Sequence, residues 1–250
     1  MNIRNFIKNP QAYFKRIPLS LVGLYFDLCI RKYKADNCVF YIPKKHTSLY
    51  ERGFSWLHGY EKPERLLISK YLSADSTVLE LGGCIGVVSC IINKKLAFPN
   101  NHIVIEPNKN IVPHLMENRN SNACKFIIEN CLISKYKNVS FTIHPNMLLS
   151  GINKADGEVV ECLSTTPEEL EKKYEIDFNF IVMDIEGDEQ NFIPEFEDYL
   201  SKNIKAIIFE EHPDVVSLET RKYYANILTM IGFHKVDQIG NVSCYLKKSP

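Results

Sequence analysis

The sequence predicts an α/β protein with a seven-stranded, mostly parallel sheet covered by helices on both faces. From Thr77 almost to the end of the 250 residues, short apolar segments alternate with segments of helical pattern, which is typical of parallel sheets. The segment 178–185 is apolar almost throughout, as expected of a strand buried on both faces. Segments 233–239 and 242–247, joined by Gly240-Asn241, predict a closing hairpin that adds one antiparallel strand.

The remaining elements follow in order from apolar runs and their boundary residues. Strands are expected at 77–81, 102–106, 125–132, 178–185 and 205–210. Helices are expected at 63–72, 86–96, 108–120 and 218–230. The extended runs 139–144 and 159–164 predict a hairpin-like insertion. Thr166, followed by a proline and two acids, predicts the N-terminus of a further helix.

Residues 1–60 are predicted to form a helical and loop extension ahead of a domain at 61–250. The first 35 residues hold seven basic side chains and one acidic one, a net charge of +6, and two helical pieces are expected around a break at Pro18. This segment is either a cover packed on the domain or a basic helix that contacts a membrane surface or a partner. Residues 43–59 are expected to form a loop.

The composition favours an ordinary globular protein. Hydrophobic residues make up 45% of the chain and charged residues 24%, and a formal net charge of zero predicts no attraction to nucleic acid. The eight cysteines include no Cys-x-x-Cys pair, which predicts reduced thiols in a cytoplasmic protein. No signal peptide is expected, because charges and prolines interrupt the N-terminus. The oligomeric state stays open, with a homo-oligomer as one alternative.

The segment after the first predicted strand has the pattern of a ligand-binding turn. Glu80 ends the strand, and Gly82, Gly83 and Gly86 follow. Such a turn brings backbone N–H groups and a helix N-terminus against a ligand. Cys84 occupies the second glycine position of the dinucleotide fingerprint, which disfavours NAD. An acid ahead of the glycines is the arrangement of S-adenosylmethionine (SAM) methyltransferases, and the alternative is a turn without a ligand.

Polar residues at the ends of the other strands mark the expected site, because ligands of open parallel sheets bind outside the carboxyl ends of the strands. Glu106 ends the second strand and can accept hydrogen bonds from both ribose hydroxyls of a nucleoside. Asn130 follows the third strand and is a further candidate for a cofactor contact.

The densest group of acids follows the fourth strand and comprises Asp184, Glu186, Asp188 and Glu189. Asp184 or Glu186 can serve as a general base toward an acceptor hydroxyl. Alternatively, the acids, with Glu210 and His212, can bind Mg²⁺ or attract the cationic sulfonium. His212 is expected to be protonated readily beside carboxylates and is a candidate base or substrate contact. The spacing assigns no dedicated metal ligands, so a divalent metal stays open.

Five segments between residues 60 and 236 resemble, in the expected order, the motifs of the FkbM family of SAM-dependent methyltransferases. They are Tyr60-Glu61, 78–86 (Val-Leu-Glu-Leu-Gly-Gly-Cys-Ile-Gly), 104–108 (Val-Ile-Glu-Pro-Asn), 184–189 (Asp-Ile-Glu-Gly-Asp-Glu) and 209–213 (Phe-Glu-Glu-His-Pro). The segment 184–189 is the most specific. Two positions depart from the family: Glu80 replaces the commoner Asp, and Cys84 replaces the usual Asn, so no side-chain amide contact is expected at Cys84.

The resemblance implies the seven-stranded, Rossmann-like fold of class I methyltransferases and O-methylation of a sugar, polysaccharide or related metabolite. The predicted cofactor-binding residues are Tyr60, Glu61, Glu80, Gly82, Gly83, Cys84, Gly86, Glu106, Pro107, Asn130 and Asp184. The predicted catalytic residues are Asp184, Glu186 and His212. Two alternatives remain: an NAD- or nucleotide-dependent oxidoreductase on a similar sheet, and a non-catalytic binding protein whose basic N-terminal segment is the interaction surface.

Overall fold

A computed structural model describes residues 10–152, 154 and 156–247 of the chain. The α-helices are α1 (Pro10–Tyr25), α2 (Leu49–His58), α3 (Lys62–Tyr71), α4 (Val87–Lys95), α5 (Val112–Ser121), α6 (Pro167–Tyr174), α7 (Glu189–Glu195), α8 (Glu197–Asn203) and α9 (Leu218–Met230). The strands are β1 (Tyr33–Ala35), β2 (Cys38–Phe40), β3 (Val78–Leu81), β4 (His102–Ile105), β5 (Ile127–Glu129), β6 (Leu132–Ile133), β7 (Asn138–Ile143), β8 (Glu158–Thr165), β9 (Phe180–Met183), β10 (Ala206–Glu210), β11 (Phe233–Ile239) and β12 (Val242–Lys247). A short π-helix, Phe26–Ile30, continues α1.

Seven strands form the central sheet in the order β11-β12-β10-β9-β3-β4-β5. β12 is antiparallel to both of its neighbours, and the other pairs are parallel. Leu81, at the end of β3, pairs with Ile105 of β4 and Met183 of β9. The carboxyl ends of three neighbouring strands therefore meet at one edge. The strand order and directions confirm the predicted Rossmann-like fold of class I methyltransferases.

The sheet is buried on both faces, as its apolar strands predict. Val78 packs in one hydrophobic cluster with side chains of α3, α4 and α5. Leu79 and Leu81 point to the opposite face and pack in a second cluster with side chains of α6, α7, α8 and α9. Successive residues of one strand thus enter different cores, because side chains alternate between the two faces of a strand.

The predicted insertion forms a small sheet of its own. β7 and β8 pair in antiparallel fashion, and β6 adds to β8 in parallel. The predicted third strand, 125–132, is therefore too long: β5 ends at Glu129, and the chain resumes in β6 with a different partner. The helix predicted after Thr166 is confirmed, with a capping box between Thr166 and Glu169.

Three predictions about helices are wrong. α1 runs through Pro18 without a break, although proline removes one helical hydrogen bond. The expected loop at 43–59 contains α2, which begins at a capping box formed by Ser48 and Glu51. This Ser-x-x-Glu pattern is present in the sequence and favours the start of a helix, although the aromatic and charged residues around it are typical of a loop. α7 and α8 were not predicted. Residues 1–9, with Arg4 and Lys8 of the basic segment, lie outside the described residues.

Helices α1 and α2 cross in close contact because two glycines lie at the crossing. A Cβ atom on Gly53 would lie 2.0 Å from the carbonyl oxygen of Leu19, and one on Gly23 would lie 1.8 Å from that of Leu49. Beside the crossing, Arg52 Nε and Nη2 each donate to a different carboxylate oxygen of Asp27 at 2.9 Å. Both side chains are buried, so the ion pair holds the two helices at one relative position.

Asn118 of α5 and Asn122, the residue that caps the C-terminus of this helix, attach the N-terminal part of the chain to the central sheet. The Asn118 side chain accepts from the backbone N–H of Tyr41 at 2.8 Å and donates to the carbonyls of Tyr41 and Ile85. The Asn122 side chain makes the same pair of hydrogen bonds with Val39.

The domain boundary at residue 60 stays a prediction. Within the described residues, no helix is both long and apolar enough to cross a membrane.

We expect Arg52→Met to destabilise the fold by about 3–5 kcal/mol, because it removes both hydrogen bonds to the buried Asp27 carboxylate and leaves only the exposed Lys44 ammonium, at 3.6 Å. Arg65→Met is the matched control: Arg65 pairs with Asp36, whose side chain is 54% exposed, and loss of such a pair costs less than about 1 kcal/mol. Free energies of unfolding from urea titrations measure both. Equal losses in the two variants would contradict a structural role for the buried pair.

Candidate functional site

The carboxyl ends of β3, β4 and β9 surround one side of a cavity that opens to solvent. Ligands of open parallel sheets bind at this edge. The structure places eight of the predicted site residues in the wall of the cavity. They are Tyr60, Glu61, Gly82, Cys84, Glu106, Pro107, Asp184 and Glu186. Residues that are far apart in the sequence are thus brought together at the sheet edge where the strand-end argument predicts the site.

The glycine turn after β3 fits tightly against the end of β9. Gly82 has a φ of +89°, and a Cβ atom there would lie 1.9 Å from the carbonyl oxygen of Asp184. A Cβ atom on Gly83 would lie 2.4 Å from Val104 of β4. Side chains at these positions would force the turn off the strands, so the glycines set the position of the Cys84 backbone and of the helix N-terminus behind it.

Glu106 is buried at the end of β4 and connects that strand to the glycine turn. Its Oε2 accepts a hydrogen bond from the Cys84 N–H, and its Oε1 accepts one from the Asn108 N–H, both at 2.7 Å. Burial raises the pKa of Glu106 to about 7. The side-chain amide of Asn130 donates to the carbonyls of Glu106 and Pro107. Asn130 is outside the cavity wall and supports the loop that carries Glu106.

Glu80 is placed differently from the other predicted cofactor-binding residues. Its Oε1 accepts from the Ser89 hydroxyl at 2.7 Å, and its Oε2 lies 2.8 Å from His102 Nε2. These contacts tie β3 to α4 and β4 within the interior. Glu80 borders a second, smaller cavity of about 360 Å³ behind the glycine turn, which Glu61 and Glu64 also border.

His212 lies between two carboxylates at the end of β10. Its Nε2 is 3.3 Å from Asp184 Oδ1, and its Nδ1 is 3.3 Å from Glu189 Oε1. Burial alone would lower the pKa of His212, but its interactions with the Asp184 and Glu189 carboxylates outweigh burial and raise the pKa to about 11. The raised pKa favours the imidazolium form at neutral pH. In that form the ring has no free nitrogen lone pair and holds Asp184 electrostatically.

Glu186 extends into the cavity from the turn after β9. Its φ is +58°, and its Oε2 lies 3.4 Å from Lys154 Nζ. Burial, together with the charge of Asp184, raises the pKa of Glu186 to about 7. A carboxylate with a pKa near neutrality is well matched to general-base catalysis. Lys154 lies in the loop between β7 and β8, and the sequence analysis did not find it.

Asp184, Glu210 and His212 are placed closely enough to hold a divalent cation. Each offers one ligand atom, and these atoms lie within 4.8 Å of one another. Burial, followed by the charges of Asp184 and Glu64, raises the pKa of Glu210 to about 8. Two carboxylates and an imidazole suit Mg²⁺ or Mn²⁺, but His212 must lose its proton to bind either, so cation and proton compete for the group.

The small sheet and the loop within it supply a wall that sequence patterns did not reveal. Phe141, Met147, Leu148, Ser150 and Ile152 line the cavity. Asn108 Nδ2 donates to the hydroxyl of Ser150 at 3.2 Å, which ties this wall to the loop after β4. The spacing of these residues carries no motif; their role follows only from how the hairpin folds over the sheet edge.

Comparisons with known proteins found similarity in backbone structure and none in sequence families. No protein-family model matches the sequence, and no curated protein matches it. A precorrin-6y C5,15-methyltransferase from Geobacter metallireducens GS-15 is 14% identical, with 83% of this chain and 95% of that chain covered and a TM-score of 0.46. A ribosomal protein L11 methylase from Lactobacillus delbrueckii subsp. bulgaricus is 14% identical over 74% and 77% of the two chains, with a TM-score of 0.45.

The fibrillarin of Aeropyrum pernix, in complex with natively bound S-adenosyl-L-methionine, is a further similar structure. It is 10% identical over 73% of this chain and 73% of that chain, with a TM-score of 0.43. TM-scores below 0.5 do not by themselves decide a fold. The assignment to the class I methyltransferase fold therefore rests on the strand order and strand directions described above.

We expect His212 to stay protonated from pH 6 to pH 9, because its pKa is raised to about 11. Nitrogen-15 NMR of the imidazole measures this directly, and Asp184→Asn should lower the transition by removing one of the two charges. The ordinary pKa of about 6.5 applies to the unfolded chain. The ion pairs therefore stabilise the fold fully below that pH, and the stabilisation is lost as the pH rises toward 11.

Added Mg²⁺ is the control that distinguishes the two charge states of the site. If the imidazolium signals persist in excess Mg²⁺, His212 itself is the cation beside Asp184. Loss of those signals on addition of Mg²⁺, and their return with a chelator, would contradict that assignment and show a metal in place of the proton. A neutral His212 at pH 7 without metal would contradict the raised pKa.

Proposed function

We propose that the protein is a SAM-dependent methyltransferase that methylates a hydroxyl oxygen. The observation that carries the proposal is the hydrogen bond from the Cys84 N–H to Glu106 Oε2, at 2.7 Å. It joins the glycine turn after β3 to the acid that ends β4, in the wall of the main cavity. This arrangement suits a nucleoside ligand: an acid whose oxygens keep lone pairs for the ribose hydroxyls lies next to a glycine-rich turn.

The residues present fit a cationic nucleoside cofactor better than an anionic one. Burial raises the pKa of Glu61 well above its usual value, with further increases from the charges of Glu64 and Asp184. Glu106 and Glu186 have raised pKa values for the same primary reason. Carboxyls crowded in this way are stabilised as anions by a positive charge. The sulfonium and amino groups of SAM supply one, whereas the pyrophosphate of NAD adds negative charge.

The resemblance to the FkbM family supports a sugar, polysaccharide or related metabolite as the acceptor. When bound, SAM supplies an electrophilic methyl group. The protein's own residues then have three tasks: to orient the acceptor hydroxyl, to exclude water and to take up its proton. Glu186 is placed in the cavity with a pKa of about 7 for the last task. Asp184, held by His212 at 3.3 Å, positions the reacting groups.

The apolar wall of the small sheet suits the exclusion of water. Phe141, Met147 and Leu148 are among the apolar residues that line the cavity. A cavity lined by both acidic and apolar side chains can orient an amphipathic ligand. We assign the acids to the cofactor's positive groups and the acceptor hydroxyl, and the apolar side chains to the exclusion of water.

Glu106→Gln is expected to weaken SAM binding by about 1.5–3 kcal/mol, the usual contribution of hydrogen bonds to a charged group. Isothermal titration calorimetry with SAM measures the loss. Glu158→Gln is the matched control, because Glu158 is exposed on β8 and should leave the affinity unchanged. Thermal unfolding checks that the glycine turn keeps its place. Unchanged affinity in Glu106→Gln would remove the proposed ribose contact.

Asp184→Asn is expected to reduce methyl transfer by about 100-fold or more, because it removes a carboxylate from the reacting side of the cavity. Mass spectrometry of glycans and metabolites from cells that express each variant measures the loss of the methyl increment. Asp198→Asn, at an exposed position of α8, is the control. Tight SAM binding without any transfer by the unaltered protein would instead support a non-catalytic binding protein.

A further inference from the structure

The outer face of the α1–α2 pair carries an exposed apolar surface. The exposed large apolar side chains there are Leu21, Leu24, Tyr25, Leu28 and Ile30 on α1 and its π-helical continuation, and Leu49, Phe54 and Leu57 on α2. On α1 the positions 21, 24, 25 and 28 follow helical spacing. They therefore form one stripe along the helix, which we call the apolar stripe.

The apolar stripe is separate from the face that α1 uses inside the protein. Gly23 contacts α2, Phe26 is 2% exposed, and Asp27 is paired with Arg52 in the interior. The inner face is thus fully packed, while Leu21 and Leu28 are each 63% exposed. Large contiguous apolar patches are rare on the surfaces of monomeric proteins, and those that occur mark interaction sites.

Exposed basic side chains follow the apolar stripe along the chain. They are Arg31, Lys32, Lys34 and Lys45. Lys44 is also exposed, but its Nζ lies 3.6 Å from Asp27 Oδ2, so its charge is already paired. The two acids nearest in sequence are paired as well, Asp27 with Arg52 and Asp36 with Arg65. Residues 21–45 hold five basic and two acidic side chains, an excess of positive charge close along the chain to the apolar stripe.

We propose that this face docks on an anionic lipid surface. The apolar stripe would enter the boundary between headgroups and acyl chains, and the basic side chains would contact lipid phosphates, as in helices that lie in the membrane interface. A partner of this kind accounts for both features at once: acyl chains cover the apolar stripe, and phosphates complement its basic border. Tyr60, two residues beyond the end of α2, lies in the wall of the main cavity, so docking places the site near the membrane.

Co-sedimentation of the full chain with vesicles tests the proposal. Vesicles of phosphatidylcholine mixed with phosphatidylglycerol should bind the protein, and vesicles of phosphatidylcholine alone should not. Binding should weaken as salt is added, because the lipid charge is screened. Arg31→Gln and Lys32→Gln should each weaken it about fivefold, the fold-change that corresponds to about 1 kcal/mol per basic residue at such a surface.

The double variant Leu24→Glu with Leu28→Glu should lose binding by at least about tenfold, because two apolar anchors are replaced by charges that the lipid repels. The control is Val159→Glu with Leu163→Glu, two side chains of β8 that are 65% and 72% exposed and lie far along the chain from α1. Circular dichroism and thermal unfolding establish that each variant is folded.

Three outcomes would overturn the proposal. They are binding to neither vesicle, equal binding to both, and equal losses in the double variant and its control. A dimer in sedimentation equilibrium that Leu24→Glu with Leu28→Glu dissociates would assign the face to a second copy of the chain instead. Vesicle binding requires neither SAM nor an acceptor, so failure of the proposed function would leave this result standing.

Discussion

The approach of the Asp184 carbonyl to Gly82 is the constraint on which the site depends. A Cβ atom at Gly82 would lie 1.9 Å from that oxygen, so β3 and β9 can end side by side only with glycine there. The same contact brings Asp184 next to the turn that carries Cys84, and Cys84 in turn is hydrogen-bonded to Glu106. Three strand ends are thereby brought into one cavity by backbone packing, before any ligand contributes.

The second determinant of the site is a group of crowded, buried carboxyls. Burial raises the pKa of Glu61, Glu64, Glu106, Glu186 and Glu210 and so disfavours their ionised forms. The imidazolium of His212 and the ammonium of Lys154 favour ionised carboxylates at Asp184 and Glu186, at 3.3 and 3.4 Å. A positively charged ligand adds to this effect, whereas an anionic ligand opposes it. The electrostatics of the cavity therefore favour a cationic ligand.

Sequence patterns predicted the parts of the structure that depend on local chemistry. The glycine turn, the acids at the strand ends, the α6 cap at Thr166 and the closing hairpin all follow from residues close together in the chain. Contacts between distant segments decided the rest. The pairing of β6 with β8 and the cavity wall around Phe141 have no local signal, and the continuity of α1 through Pro18 coincides with its close packing on α2. Glu80 shows a further limit, because its position in the sequence matches a ligand contact, whereas the structure places it outside the wall of the main cavity and in contact with Ser89 and His102.

Asn118 connects the segment after β2 to the glycine turn. Its side-chain amide donates to the carbonyl of Tyr41, beside β2, and to the carbonyl of Ile85, within the glycine turn. Its side-chain oxygen accepts from the Tyr41 N–H. One buried side chain therefore satisfies backbone groups of two segments that are far apart in the sequence, so the turn that precedes α4 and the N-terminal part of the chain share a single point of attachment.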